Sequence, residues 1–187
     1  MNAGQRAKRL NKRAASHSAL DLADYLDIKK AEVILDFGAG GGLLTFEFSK
    51  LTGSNGLVIA ADTDSGLLGH IEHEQERLGI ENVKTMNVKD KKQLQRYSYD
   101  LVFMRDVFHH LQNRLDFFSE LRSCLTTNGR IAIIDWNERA NIFMRISGHY
   151  TPEQSILDTM KASGYVRQAN YQHLKGQSFI VFCKNTV

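Results

Sequence analysis

Apolar and polar positions follow two different periods along this chain. Short, mainly apolar runs over 32–36, 57–62, 100–104, 130–136 and 179–183, most with a charged residue at one end, read as buried strands. A weaker run over 82–86 reads as a further strand, and the mixed stretch 165–173 as an edge strand. Between them apolar residues recur at steps of three and four, the period of a helix with one buried face. Leu20, Leu22, Tyr25 and Leu26 mark such a face within 18–28, and Leu67, Leu68, Ile71 and Leu78 mark a second, which Asp64 or Ser65 can cap and Gly79 stops. Leu115, Phe118, Leu121 and Leu125 mark another, followed by a break at Thr126, Thr127, Asn128 and Gly129. Thr151 as cap, Pro152 at the first position and Gln154 in a capping box open a last helix, with Ile156, Leu157 and Met160 inward and Gly164 at its end. Strands that alternate with helices predict an α/β fold with a largely parallel sheet.

The carboxyl end departs from that alternation. The run 179–183 is apolar on both of its faces, and Lys175, Gly176 and Gln177 join it by a turn to the mixed strand before it. A hairpin whose second strand is covered on both sides places that strand inside the first.

The densest chemistry sits where the first strand meets its helix. Val33, Ile34, Leu35 and Asp36 run into Phe37, Gly38, Ala39, Gly40, Gly41 and Gly42, and helix formers follow at once. Glycines let backbone N–H groups approach a ligand closely, and a helix N-terminus adds partial positive charge. The carboxyl end of a strand in an open α/β sheet is where such ligands bind. The dinucleotide spacing G-x-G-x-x-G fails, because Leu43 stands in its third glycine slot; the spacing that fits is D-x-G-x-G-x-G, with Asp36, Gly38, Gly40 and Gly42. Asp62 closes the second strand about 20 residues further on, where a carboxylate accepts hydrogen bonds from ribose hydroxyls.

Composition narrows the class. The 187 residues, 42% apolar and 24% charged, suit one soluble domain over 18–187. No run is long and apolar enough to span a membrane, and two cysteines, Cys124 and Cys183, make neither a disulfide framework nor a zinc site, so a cytoplasmic protein without a resident metal is expected. His70 and His73, one helical turn apart, read as part of a solvated face. Arg6, Lys8, Arg9, Lys12 and Arg13 gather in a stretch with no acid, and 1–17 reads as a basic, flexible tail.

The acid, the spaced glycines and Asp62 resemble those of class I methyltransferases that use S-adenosylmethionine (SAM), and the likeness extends over about 20–184. It implies a doubly wound, Rossmann-like seven-stranded sheet of order 3-2-1-4-5-7-6, strand seven antiparallel, with helices on both faces. It implies SAM as cofactor, released as S-adenosylhomocysteine (SAH), at Asp36, Gly38, Ala39, Gly40, Gly42, Asp62 and Thr63. Lys89 and Asp90 are the candidates beside the adenine, and Arg105 closes the set.

The stretch Asp106, Val107, Phe108, His109, His110, Leu111 resembles a pattern of small-molecule methyltransferases of the UbiE type. That resemblance makes His109 and His110 candidate acid–base residues. Tyr25, Asp106, Trp136, His149 and Tyr150 are candidate acceptor contacts, and 137–150, which has no clean period, is a candidate specificity segment. Base-methylating relatives carry an N/D-P-P-Y/F loop after the fourth strand, whereas the single proline here is Pro152, which argues against nucleic acid as acceptor. The expectation is methyl transfer to a small molecule by direct in-line displacement. The alternatives are a protein or RNA methyltransferase that uses the basic tail, and a SAM-binding module without catalysis. The oligomeric state is open.

Overall fold

The computed structural model describes residues 1–16, 22–89 and 91–185. Seven strands form one sheet of order β3-β2-β1-β4-β5-β7-β6: β1 (Val33–Phe37), β2 (Leu57–Asp62), β3 (Val83–Asn87), β4 (Tyr99–Arg105), β5 (Leu125–Trp136), β6 (Tyr165–Tyr171) and β7 (Gln177–Lys184). This is the doubly wound order expected from the sequence. The chain divides into two compact units, Met1–Tyr99 and Asp100–Val187. Among the described residues no helix is long and apolar enough to cross a membrane.

In the first unit β1 runs parallel to β2 and β2 parallel to β3, with Asp36 opposite Ala60 and Asp62 opposite Asn87. Ile34, Leu35, Val58, Ile59 and Ala60 are fully buried, as unbroken apolar runs demand of strands covered on both faces. Helix α3 (Leu43–Thr52) follows β1, and α4 (Ser65–Leu78) follows β2. The Asp64 side chain caps α4 by accepting from Gly66 N (2.9 Å) and Leu67 N (3.3 Å), and Gly79 ends it in a left-handed conformation. Leu78, expected inward, is the last residue of α4 and is 49% exposed. The short α2 (Leu22–Leu26) is the described part of the helix expected over 18–28; Ser18 and Leu20 lie outside the described residues.

The expected flexible tail is instead a helix, α1 (Ala3–Ser16). Its signal lies under the charges: Ala3, Ala7, Leu10 and Ala14 recur at steps of four, three and four. Ala7 is fully buried, while Lys8, Arg9, Lys12 and Arg13 stay in solvent. Charge alone does not reveal such a stripe of small residues.

In the second unit β7 lies antiparallel between β5 and β6, with Ile133 opposite Ile180 and Trp136 opposite Gln177. Residues 177–182 are all buried, the condition that places this strand inside the hairpin. Thr126 to Gly129, expected as a break, form the leading end of β5 instead. Helix α5 (Arg114–Cys124) buries Phe117, Phe118, Leu121 and Cys124; Leu115 is 51% exposed and Leu125 belongs to β5, so the inward face is rotated from the expected one. In α7 (Glu153–Ala162) Pro152 occupies the cap position without a side-chain bond, Thr151 is buried ahead of it, and Gln154 bonds Asp158 rather than closing a capping box.

Asn82 finishes α3 from outside. Its amide donates to Ser49 O (3.0 Å) and Gly53 O (2.9 Å), and its carbonyl accepts from Ser49 Oγ (2.6 Å). Each of these carbonyls also accepts a backbone N–H, Ser49 O from Gly53 and Gly53 O from Gly56, so Asn82 adds a second bond to both. Asn82→Ala is expected to cost about 1–3 kcal/mol, read as a lower urea midpoint at unchanged m-value.

Candidate active site

The corner between β1 and α3 is tied to β2 by backbone. Gly38 N and Ala39 N both donate to Ala61 O, at 2.7 and 3.1 Å. Gly38, Gly40 and Gly42 have φ of 86°, 56° and 82°, left-handed values that side chains disfavour, so the alternating glycines are a backbone requirement of the turn. Asp62 then fixes its shape: Oδ2 accepts from Gly40 N (3.0 Å) and Oδ1 from Asp64 N (2.9 Å). Each carboxylate oxygen has a second lone pair, so Asp62 can hold the turn and still accept from a sugar hydroxyl.

Asp36 lies beneath the turn, 3% exposed, with Oδ2 accepting from Thr45 Oγ1 at 2.6 Å. Burial pushes its carboxyl up to about 7, against the Thr45 hydrogen bond, and the Asp62 charge adds to the rise. Two carboxylates at one corner suit a ligand that brings positive charge.

The other proposed cofactor residues frame this corner unevenly. Thr63 is exposed. Lys89 N is held by Asn87 Oδ1 (3.1 Å), and the Asn87 amide donates to Ser65 Oγ (2.8 Å), so the turn after β3 is pinned to the start of α4. Asp90 lies outside the described residues. Tyr25, on α2, is 38% exposed.

In the second unit Arg105 ends β4 half-buried, and Asp106 follows with φ of 55°. Asp106 N donates to Ile134 O (2.8 Å), and its carboxylate accepts from Gln177 Nε2 (2.9 Å). A 3₁₀ turn, Phe108–His110, comes next. Its anchor is Asp135, fully buried, whose Oδ2 accepts from His109 N (2.8 Å) and whose Oδ1 meets His109 Nδ1 at 2.7 Å and Trp136 N at 2.8 Å. An ionised Asp135 assigns the proton to Nδ1 and leaves Nε2 as the basic nitrogen. The His109 side chain is 4% exposed, and Nε2 is buried with no hydrogen-bond partner among the described residues.

Two more imidazoles crowd it. Ring centroids lie 4.0 Å apart for His109 and His110, 5.5 Å for His109 and His149, and 5.6 Å for His110 and His149. Burial holds the His110 pKa below the ordinary histidine value, and the charges of His109 and His149 lower it further. Among the described residues no group of three ligating side chains is disposed to hold a metal ion.

The segment 137–150 leaves the sheet and returns to it. Thr151 N donates to Trp136 O (2.8 Å), which closes the excursion at its base. Within it α6 (Ile142–Ile146) is capped by Asn141, and His149 N bonds Met144 O (3.0 Å). Trp136 is 7% exposed at the foot of the loop and Tyr150 is half-buried. Ile142, Phe143 and Ile146 are 74%, 75% and 80% exposed.

Sequence reasoning passed over Asp135, Gly41 and the α1 residues. Asp135 had a signal, since it is an acid at the end of an otherwise apolar strand. Gly41 falls between the spaced glycines, and its constraint comes from α1: a Cβ there would lie 2.3 Å from Asn11 Oδ1 and 2.5 Å from Ala7 O.

Sheet order, glycine corner and paired acids together define a class I SAM-dependent methyltransferase. Residues 35–131 match the family described as Methyltransferase domain, and the chain belongs to it; it is an enzyme whose cofactor is SAM. It is similar to the ubiquinone/menaquinone biosynthesis C-methyltransferase UbiE of Pseudoalteromonas translucida (strain TAC 125), 27% identical over 184 residues, 80% of this chain and 72% of the relative. Among solved structures, a SAM-dependent methyltransferase from Aquifex aeolicus shares the fold with a TM-score of 0.81 at 21% identity, over 97% of both chains. The O-methyltransferase NcsB1 from neocarzinostatin biosynthesis, in complex with SAM and 2-hydroxy-5-methyl naphthoic acid, gives a TM-score of 0.76 at 13% identity, over 95% of this chain and 56% of its own.

The Asp36 carboxyl yields a pH test. Its folded pKa lies near 7, above the value of 3.8 for the free group, so between these values the folded state keeps a proton that the unfolded state has lost. Its contribution is complete below about pH 4 and is lost as pH rises through about 7. Between pH 5 and 7.5 the Tm of the natural chain is expected to fall by about 5 °C more than that of Asp36→Asn, measured by calorimetry without ligand.

Proposed function

We propose that this enzyme transfers the methyl group of SAM to a small-molecule acceptor by direct in-line displacement, with His109 as the base that takes the acceptor's proton. The observation that carries the base assignment is the His109 and Asp135 pair: a fully buried carboxylate on Nδ1 and an unbonded Nε2.

The residues at the glycine corner fit SAM. Gly38, Ala39, Gly40 and Gly42 are assigned to the methionine side of SAM and Asp62 to its ribose, with Asp36 beneath them. Thr63 and Lys89 are assigned to the same cofactor, and Asp90 and Arg105 are the further candidates that the sequence offers for it. Bound there, SAM supplies an electrophilic methyl group on a sulfonium. Because the leaving thioether is neutral, the chain has little charge to stabilise on that side, and its work is alignment and exclusion of water. On the acceptor side Asp135 holds the His109 ring in one orientation and stabilises the imidazolium once Nε2 has gained a proton. His110, which lies beside His109 and His149, is assigned as a second proton acceptor. Asp106, Trp136, His149 and Tyr150, with Tyr25, are assigned to acceptor binding.

Support for a small molecule comes from two sides. The turn after β4 contains His109 and His110 where base-methylating enzymes carry prolines. The UbiE relative and NcsB1 are enzymes of small-molecule metabolism by their names.

The test is a screen with methyl-labelled SAM against phenols, enolisable ring compounds, amines and thiols, beside bulk RNA and protein. Label is expected in the low-molecular-weight fraction; label confined to RNA or protein, or none in any fraction beside measurable SAM binding, overturns the reading. With the acceptor found, His109→Ala is expected to lower kcat by about 10²–10⁴-fold. Asp135→Asn is expected to lower kcat too, with the KM for SAM within about twofold in both variants.

A further inference from the structure

The helix α1 makes its contacts where the cofactor corner is built. Helix α3 begins at Gly42, a cap residue with no side chain to bond its first amides. Asn11 supplies the missing group from another element: Leu43 N donates to Asn11 Oδ1 (3.3 Å), and Asn11 Nδ2 donates to Gly41 O (2.9 Å). One amide thus grips the turn by a donor and an acceptor on either side of Gly42. Leu10 Cδ1 covers Gly40, 3.5 Å from where a Cβ would stand, and the Ala7 carbonyl fills the space above Gly41. One turn towards the N-terminus, Arg6 Nη2 reaches both oxygens of Asp64, at 3.0 and 2.8 Å, the same Asp64 that caps α4 and whose N–H is held by Asp62. A single helix therefore ties together the N-termini of α3 and α4, the two sides of the corner.

We propose that Asn11 is a positioning residue for the cofactor, through which α1 clamps the glycine turn and couples its own docking to SAM binding. The inference rests on the assignment of SAM to this corner. The turn is glycine-rich and by itself samples many backbone states, of which one presents Gly40 N to Asp62 and Leu43 N to Asn11. Asn11 selects that state before the ligand arrives, which removes an ordering cost from binding. Linkage makes the effect reciprocal: if docked α1 raises affinity for the cofactor, bound cofactor must stabilise docked α1 by the same factor. Arg6 acts at the far end as a partly exposed tether, with its side chain 35% and that of Asp64 38% accessible.

Two measurements on the full-length chain test this. In calorimetry with SAH, Asn11→Ala is expected to weaken binding about tenfold, and Lys12→Ala, on the solvent side of the same helix, by less than twofold. In turnover assays Asn11→Ala is expected to raise the KM for SAM by a similar factor and leave kcat nearly unchanged. In hydrogen exchange of the unaltered chain, saturating SAH is expected to slow exchange of the amides of residues 6–16 as well as those of the glycine turn. This second readout needs no variant, so a poorly folded Asn11→Ala does not decide the matter. SAH affinity of Asn11→Ala within twofold of the natural chain, or α1 amides indifferent to SAH, overturns the clamp while leaving the corner assignment standing. No SAH binding by the unaltered chain overturns both.

Discussion

The carboxylate of Asp62 is the constraint on which the first unit turns. It ends β2, yet it spends both oxygens on backbone amides of other segments, Gly40 in the turn after β1 and Asp64 at the cap of α4. Two βα connections are thereby fixed against each other by one side chain. In the left-handed glycine turn the Gly38 and Ala39 amides bond Ala61 O, and Gly42 N bonds Ala39 O. That arrangement holds Asp36 in the dark below, where it bonds Thr45 and carries a raised pKa. A site for a charged nucleoside follows from this geometry because acid, bare backbone and helix termini all meet within one turn of chain.

Much of this was legible in the sequence. Parallel strands buried on both faces announce themselves as apolar runs, and β1, β2 and β4 fall within a residue or so of where the pattern puts them. The insertion of β7 was also legible, since a terminal strand apolar on both alternating sets has to be covered twice. The glycine spacing separated SAM from dinucleotide on a single position, Leu43. What the pattern misjudged is equally physical. Leu78 and Leu115 have the right period but stand at helix ends, about half exposed. Thr126 to Gly129 carry turn residues yet extend, because they lead directly into a long strand.

The candidate site was legible only where its residues are local. Asp36, Gly38, Gly40, Gly42 and Asp62 come in two short stretches, and the pattern found them. Asn11, Arg6 and Gly41 matter through contacts that span about thirty residues or more, and no local period encodes them. The N-terminal stretch misled for a specific reason: five basic side chains dominate its composition, while the alanines that seat it on the turn look bland. His109 was found by its motif, but Asp135, the group that gives it a defined tautomer, lies 26 positions away on the end of another strand.

The bond from Thr151 to Trp136 has an architectural consequence. The two feet of the excursion are stitched to each other, and Asn137, Glu138 and Arg139 bond Gly176, Glu153 and Gln172, so the part that stands clear of the sheet is 141–148. Such a segment can be lengthened, shortened or exchanged as a cassette, and β5 and α7 would keep their places. Evolution and the protein engineer thus inherit the same convenience: a replaceable insert, bearing three bare apolar side chains on α6, mounted on a frame that need not notice the swap.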